Sequence, residues 1–136
     1  MIALDTNVIS ELMRAQPDQR VLDWLDDLSP GDVAVTSVTV AELLYGIARL
    51  PAGKKRTGVE KAIAKTLEDD IFVLPFDDAA AVDYATLVAA QELRGRRIGM
   101  ADAMIAATCM AAGATLATRN LKDFAGLGIA LHDPWA

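Results

Sequence analysis

Ile2-Ala3-Leu4-Asp5-Thr6-Asn7 sets a short apolar run directly against an acid and two small polar residues. A run of that length and type, stopped abruptly by polar residues, predicts a short buried strand. The pattern recurs at Val33 to Val35, Ile71 to Leu74, Thr115 to Ala117 and Ile129 to Leu131. Between these runs the apolar residues fall three and four apart, the spacing of one helix face. The predicted helices cover Asn7 to Arg14, Asp18 to Leu28, about Val38 to Leu50, Lys54 to Asp69, Asp77 to Leu93 and Ala101 to Ala112, with Pro17, Pro30, Pro51 and Gly113 between them. This alternation predicts an α/β fold, a central, mainly parallel sheet flanked by helices. Such sheets bind ligands outside the carboxyl ends of their strands, so Asp5 stands where chemistry is expected. Asp5 serves equally well as the N-cap of the helix beginning near Asn7.

The chain has 136 residues, 53% hydrophobic and 24% charged, which predicts a single domain with a real core rather than a disordered segment. Aromatic residues make up only 5%, so that core is aliphatic. A formal net charge of -6 excludes a domain that grips nucleic acid through its overall charge, and leaves room only for a local basic patch. The single cysteine, Cys109, lies in the apolar stretch Ala106 to Ala112 and reads as a buried, inert thiol. With His132 as the sole histidine, a structural zinc site has no ligands to draw on. No signal peptide and no apolar run of membrane-spanning length is visible, so a soluble, cytoplasmic protein is expected.

Two further acids lie beside apolar sequence. Glu42, in Thr36-Ser-Val-Thr-Val-Ala-Glu42-Leu-Leu-Tyr-Gly46, stands near a helix start where a lone carboxylate is costly to bury. If Thr39 is the N-cap, Glu42 completes a capping box; if Thr36 or Ser37 is, the box fails. Asp102, in Gly99-Met-Ala-Asp102-Ala-Met-Ile, sits in a first helical turn, where it complements the helix dipole. Asp5, Glu42 and Asp102 thus all occupy a strand end or helix start, positions that a doubly wound sheet brings together. Three crowded carboxylates repel one another unless a cation compensates them. Carboxylate oxygens suit hard divalent ions, Mg²⁺ or Mn²⁺, and a metal-bound water attacking a phosphodiester then follows.

Four blocks carry a family resemblance: Leu4-Asp5-Thr6-Asn7-Val-Ile-Ser-Glu11-Leu, Val40-Ala-Glu42-Leu-Leu-Tyr-Gly46, Ala101-Asp102-Ala-Met-Ile-Ala and Ala117-Thr-Arg-Asn120-Leu-Lys-Asp123-Phe. In order and separation they resemble the signature blocks of PIN-domain ribonucleases, and in particular the VapC-type toxins of bacterial toxin-antitoxin pairs with their FitB-like branch. The resemblance implies residues 1–136 as one PIN domain, Mg²⁺- or Mn²⁺-dependent cleavage of RNA, a homodimer, and inhibition by a cognate antitoxin whose C-terminal segment occupies the groove. It places the family's three acids, catalytic and metal-binding, on Asp5, Glu42 and Asp102. The fourth block departs from the pattern, with Asn120 where many relatives have an aspartate, and Asp123 three residues later. An amide accepts a hydrogen bond from a metal-bound water but adds no charge, which favours one metal over two. Asn120 with Thr118 is expected to position outer waters or the phosphate.

Arg96 and Arg97, in Arg94-Gly-Arg96-Arg97, are expected to contact substrate phosphates, the alternative being a solvated turn or cations at a helix C-terminus. Lys54-Lys-Arg56 reads as a solvated face, His132 as structural, and Met100, Met104 and Met110 as fillers of the core or of a dimer interface. Gly126-Leu-Gly128 is too short for a phosphate loop. Two other functions compete with the ribonuclease. A phosphohydrolase with Asp5 as covalent nucleophile lacks the second aspartate of an Asp-x-Asp arrangement. A catalytically silent PIN-like module that only binds RNA or a partner is favoured by Asn120 and opposed by the three acids.

Overall fold

Successive residues of the central strands face opposite layers of helices, and that alternation organises the molecule. The computed structural model describes residues 1–68 and 71–136. Its elements follow as β1 (Ile2–Leu4), α1 (Thr6–Leu12), α2 (Gln19–Asp26), β2 (Val33–Thr36), α3 (Ser37–Ala48), α4 (Lys54–Glu68), β3 (Phe72–Leu74), α5 (Asp78–Leu93), α6 (Met100–Ala112), β4 (Thr115–Ala117), α7 (Leu121–Phe124) and β5 (Leu131–His132). The five strands lie in the order β3-β2-β1-β4-β5, and every pairing is parallel. Leu4, Val33, Val35 and Ala117 turn toward one core, with Val8 and Ile9 of α1, Val21 of α2, Ile47 of α3 and Ile63 of α4. Ala3 and Leu116 turn the other way, onto Leu87 of α5, Ile105 and Ala106 of α6 and Phe124 of α7. Burial on both faces is why these strands read as continuous apolar runs.

Helix α6 is built largely from alanine, the best helix former, and its small side chains let it lie close to the sheet. Gly113 ends it at φ +65, a left-handed cap that glycine adopts without a side-chain clash. From β1 the chain builds outward on one side through β2 and β3, and on the other through β4 and β5. The crevice at the carboxyl ends of β1 and β4 is therefore the switch point of the sheet. Leu4 pairs in register with Ala117, and the Asp5 N–H donates to the Ala117 carbonyl at 2.9 Å, so Asp5 and Thr118 leave the sheet side by side.

Helix and strand ends shift by one or two residues from expectation. Asp18 and Asp77 are N-caps rather than helical residues, and α1 stops at Leu12. The predicted end of α4 at Asp69 lies outside the described residues. The last strand is Leu131–His132, not Ile129 to Leu131, because Gly128 at φ +83 still belongs to the preceding turn. A four-residue helix, α7, and a 3-10 turn at Pro30–Asp32 were both unforeseen, being shorter than one period of a helical pattern. Cys109 is fully buried, and burial pushes its thiol up to about 12, as expected for an inert group. Met100 is 69% exposed and so is no core filler, while Met110 packs against the second core. Within the described residues no helix is long and apolar enough to cross a membrane.

Candidate active site

Asp5 is 5% exposed, and both of its carboxylate oxygens are engaged. Oδ1 accepts the Thr6 N–H at 2.8 Å, capping α1, and Oδ2 accepts the Thr118 hydroxyl at 2.8 Å and an Asn7 amide N–H at 3.4 Å. The capping alternative for Asp5 is thus realised, but with one oxygen only. Carboxylate oxygens offer about four lone-pair directions, so acceptor capacity remains for a further partner.

Thr118 is fully buried and works as a hub. Its oxygen donates to Asp5 and accepts the Asn120 N–H at 3.0 Å and an Asn7 amide N–H at 3.3 Å. That burial corrects the expected role of Thr118 in substrate contact: it holds Asp5 in place and offers a substrate no surface. Asn7 closes the network by accepting the Arg119 N–H at 3.3 Å.

Thr36 is the N-cap of α3, its hydroxyl accepting the Thr39 N–H at 3.1 Å, so Glu42 lies within the helix and the capping box fails. Glu42 is also exposed rather than buried in apolar surroundings, because Leu43 and Ile47 take the core face. Its Oε1 accepts the Thr6 hydroxyl at 2.8 Å, which ties α3 to the start of α1. Asp102 is half-buried in the first turn of α6. Burial pushes its carboxyl above the ordinary range, and the negative charges of Asp5, Asp123 and Glu42 push the same way.

Asp5, Glu42, Asp102 and Asn120 line one groove of about 520 Å³, together with Thr6, Asn7, Arg119 and Trp135. The Arg119 guanidinium lies 4.9 Å over the Trp135 ring. Glu11, which lines the same groove, is held below the ordinary carboxylate range by the Asp18 N–H at 3.0 Å and is paired with Arg14 at 3.2 Å. Among the described residues, none of the ion pairs involves Asp5, Glu42 or Asp102. The groove therefore carries an excess of carboxylates over its cations, Arg14 and Arg119, and three of those carboxylates have no ion-pair partner among the described residues, hard oxygen donors that suit a divalent cation. Among the described residues, no three such side chains are gathered tightly enough to enclose an ion as they stand. A Mg²⁺ site does not require this, since the ion keeps several waters and is bound through one or two carboxylates.

Arg96 and Arg97 do not line this groove. They are exposed and line an adjoining cleft, which Asp102 shares. Lys54 and Lys55 are exposed, and Arg56 pairs with Glu60 at 2.9 Å. His132 is stacked on Trp24 with ring centroids 5.1 Å apart, a packing role. Sequence reading assigned no role to Thr6, Asn7 or Arg119. The available signal was the polar pair that follows Asp5 directly, where the first residues past a strand end must face the crevice.

A PIN domain family model matches residues 2–128. The chain is 43% identical to "VapC ribonuclease Y4jK" of Sinorhizobium fredii, an alignment that covers 99% of this chain and 98% of that one. It is 41% identical to "Toxin FitB" of Neisseria gonorrhoeae, with 99% of each chain covered. Among solved structures, "Crystal Structure of FitAcB from Neisseria gonorrhoeae" is similar at a TM-score of 0.90 and 40% identity, over 99% of both chains.

Proposed function

The chain belongs to the PIN domain family, and from that premise we propose that residues 1–136 form one PIN domain acting as a metal-dependent endoribonuclease, the toxin of a toxin-antitoxin pair. The observation that carries this reading is the convergence of Asp5, Glu42 and Asp102, from three separate elements, on one groove at the switch point of the sheet, with no ion pair to any of them among the described residues. Relatives named as a ribonuclease and a toxin over nearly the whole chain support it.

Asp5, Asp102 and Glu42 would hold the ion, Mg²⁺ or Mn²⁺, which when bound supplies Lewis-acid stabilisation of phosphoryl oxygens and a more acidic water. Asp5 is fixed for this by Thr118, Asn7 and the first N–H of α1, so its carboxylate needs no rearrangement to accept a charge. Glu42, exposed and steadied by Thr6, orients the attacking water. Asn120 offers the groove an uncharged amide for outer waters or the phosphate. Arg96 and Arg97 draw the RNA backbone to an otherwise acidic surface. A covalent role for Asp5 is disfavoured by its burial and by the engagement of both oxygens.

The chain works in the cytoplasm as a homodimer, restrained by an antitoxin whose C-terminal segment fills the groove. The edge strand β3 supports self-association, since it leaves Phe72 54% and Val73 51% exposed. The purified chain is expected to cleave RNA with Mg²⁺ or Mn²⁺, to lose cleavage on chelation, and to co-purify in inactive form with a small protein encoded nearby. Asp5→Asn, folded by circular dichroism, should lower turnover about 1000-fold, the loss of several kcal/mol of charge stabilisation. Full activity of rigorously metal-free protein would falsify the metal-dependent mechanism.

A further inference from the structure

Arg96, Arg97 and Lys122 come from two separate segments, the loop after α5 and helix α7, yet they line one cleft of about 380 Å³ beside the acid groove. Asp102 belongs to both hollows, so they adjoin. The Arg96 side chain packs toward the turn after α7: a side chain built on Gly126 would meet one of its guanidinium nitrogens at 3.5 Å. Asp102 and Asp123 line the same cleft, but among the described residues no ion pair uses any of the three cations. The N-terminus of α6 opens here as well. Its N-cap, Gly99, lines the cleft and supplies no side-chain acceptor, so amides of the first turn remain available to an anion.

The second observation is independent of charge. Gln91 of α5 lines the cleft, is only 5% exposed, and its amide makes no hydrogen bond among the described residues. Among the described residues, the side-chain polar atoms that are sealed from solvent all have partners, so the Gln91 amide is open to solvent, and Gln91 lines both this cleft and a second hollow beside Met110 and Gly126. Its donor and acceptor are left for a ligand.

We propose that this cleft is a nucleotide subsite, an inference that rests on the ribonuclease reading of the adjoining groove. The phosphate next to the scissile one lies against Arg96, Arg97, Lys122 and the α6 N-terminus, and Gln91 reads the edge of the base attached to it. The volume falls within the roughly 300–1,000 Å³ of ligand pockets, room for a nucleotide rather than for a phosphate alone. Unpaired RNA bases are splayed out and read on their edges in this manner. An RNA strand laid in the acid groove continues into whatever hollow adjoins it. That continuity favours RNA over an acidic protein segment as the occupant.

The test uses the full chain carrying Asp5→Asn, which silences cleavage, with Mg²⁺ present and fluorescein-labelled octamers of A, C, G and U. Lys122→Met should weaken all four by a similar factor, on the order of tenfold, and make the log-log salt dependence shallower by about 0.7, one phosphate's share on single strands. Gln91→Met should leave the salt slope alone and weaken the preferred octamer about fivefold, which flattens the ranking of the four bases. Gln91→Glu, nearly the same shape, is the second variant should Gln91→Met melt early. Unchanged affinity, slope and ranking in variants that melt like the parent would overturn the subsite. So would a parent that binds no octamer, or an acidic peptide that binds the cleft without displacing one. If the wild-type chain fails to cleave RNA while these shifts appear, the cleavage reading falls and the subsite stands. If it cleaves and the variants bind unchanged, the subsite falls alone.

Discussion

Thr118 and Asp5 share a buried hydrogen bond of 2.8 Å, 113 residues apart in the chain and adjacent only because β1 and β4 pair in register. Replacing Thr118 by valine keeps the shape and deletes the hydroxyl. Asp5 then loses a donor at Oδ2, and the Asn120 N–H loses its acceptor. We expect a stability loss of about 1–3 kcal/mol from buried groups left unpaired. Cleavage should fall by roughly 10–100-fold, the usual effect of removing a partner that orients a metal ligand. Thr118→Ser should restore both. Thermal melting and single-turnover cleavage check this, and a Thr118→Val protein with normal turnover would remove Thr118 from the support of the site. At this scale the sequence was only partly legible. Asp5, Glu42 and Asp102 could be picked out because an acid at a strand end or helix start beside apolar residues is conspicuous. The burial of Thr118 and the missing partner of Gln91 could not be, because polarity alone does not tell which face of an element a side chain occupies.

Helix α2 shows how an element is anchored near the groove. Asp18 caps it, accepting the Arg20 N–H at 2.9 Å, and pairs with the Arg20 guanidinium at 2.8 Å. The side-chain hydrogen bond from Arg20 is the main reason that the Asp18 carboxyl is lowered from 3.8 to about 2. A depressed folded-state pKa means stability that is present above 3.8 and is lost as pH falls through about 2. Asn is as good an N-cap as Asp, so Asp18→Asn isolates the charge. The variant should melt below the parent at neutral pH, with the difference shrinking as pH falls toward about 2. A gap that is constant across that window would rule out the Asp18 charge as its source. The order of elements was readable because each apolar run is short and each helix is several turns long. Helix α7 was not, since four residues carry no period. The start of β5 was missed because a positive-φ glycine delays the strand by two residues.

The whole molecule carries a net charge of -6 and concentrates part of it in a groove where no cation is paired with Asp5, Glu42 or Asp102 among the described residues. Burial raises the Asp102 carboxyl, and the neighbouring charges of Asp5, Asp123 and Glu42 add to it, so a bound cation should relieve repulsion in the groove. A divalent ion that binds only the native state should stabilise it, by about 2.7 kcal/mol at one hundred times its Kd. We expect the residue at position 120 to set the size of that dependence. Asn120 is exposed, lines the groove with the three acids, and its N–H donates to the same Thr118 oxygen that donates to Asp5. Asn120→Asp adds a fourth carboxylate at nearly constant shape. Without metal, the variant should melt below the parent because repulsion has grown. With saturating Mg²⁺ or Mn²⁺ the order should reverse, and titration calorimetry should give the tighter binding to the variant. Turnover need not follow, because an ion held more firmly in the ground state does not by itself lower the barrier. Equal metal affinities and parallel melting curves in the two proteins would place Asn120 outside the reach of the ion, leaving its amide to the substrate.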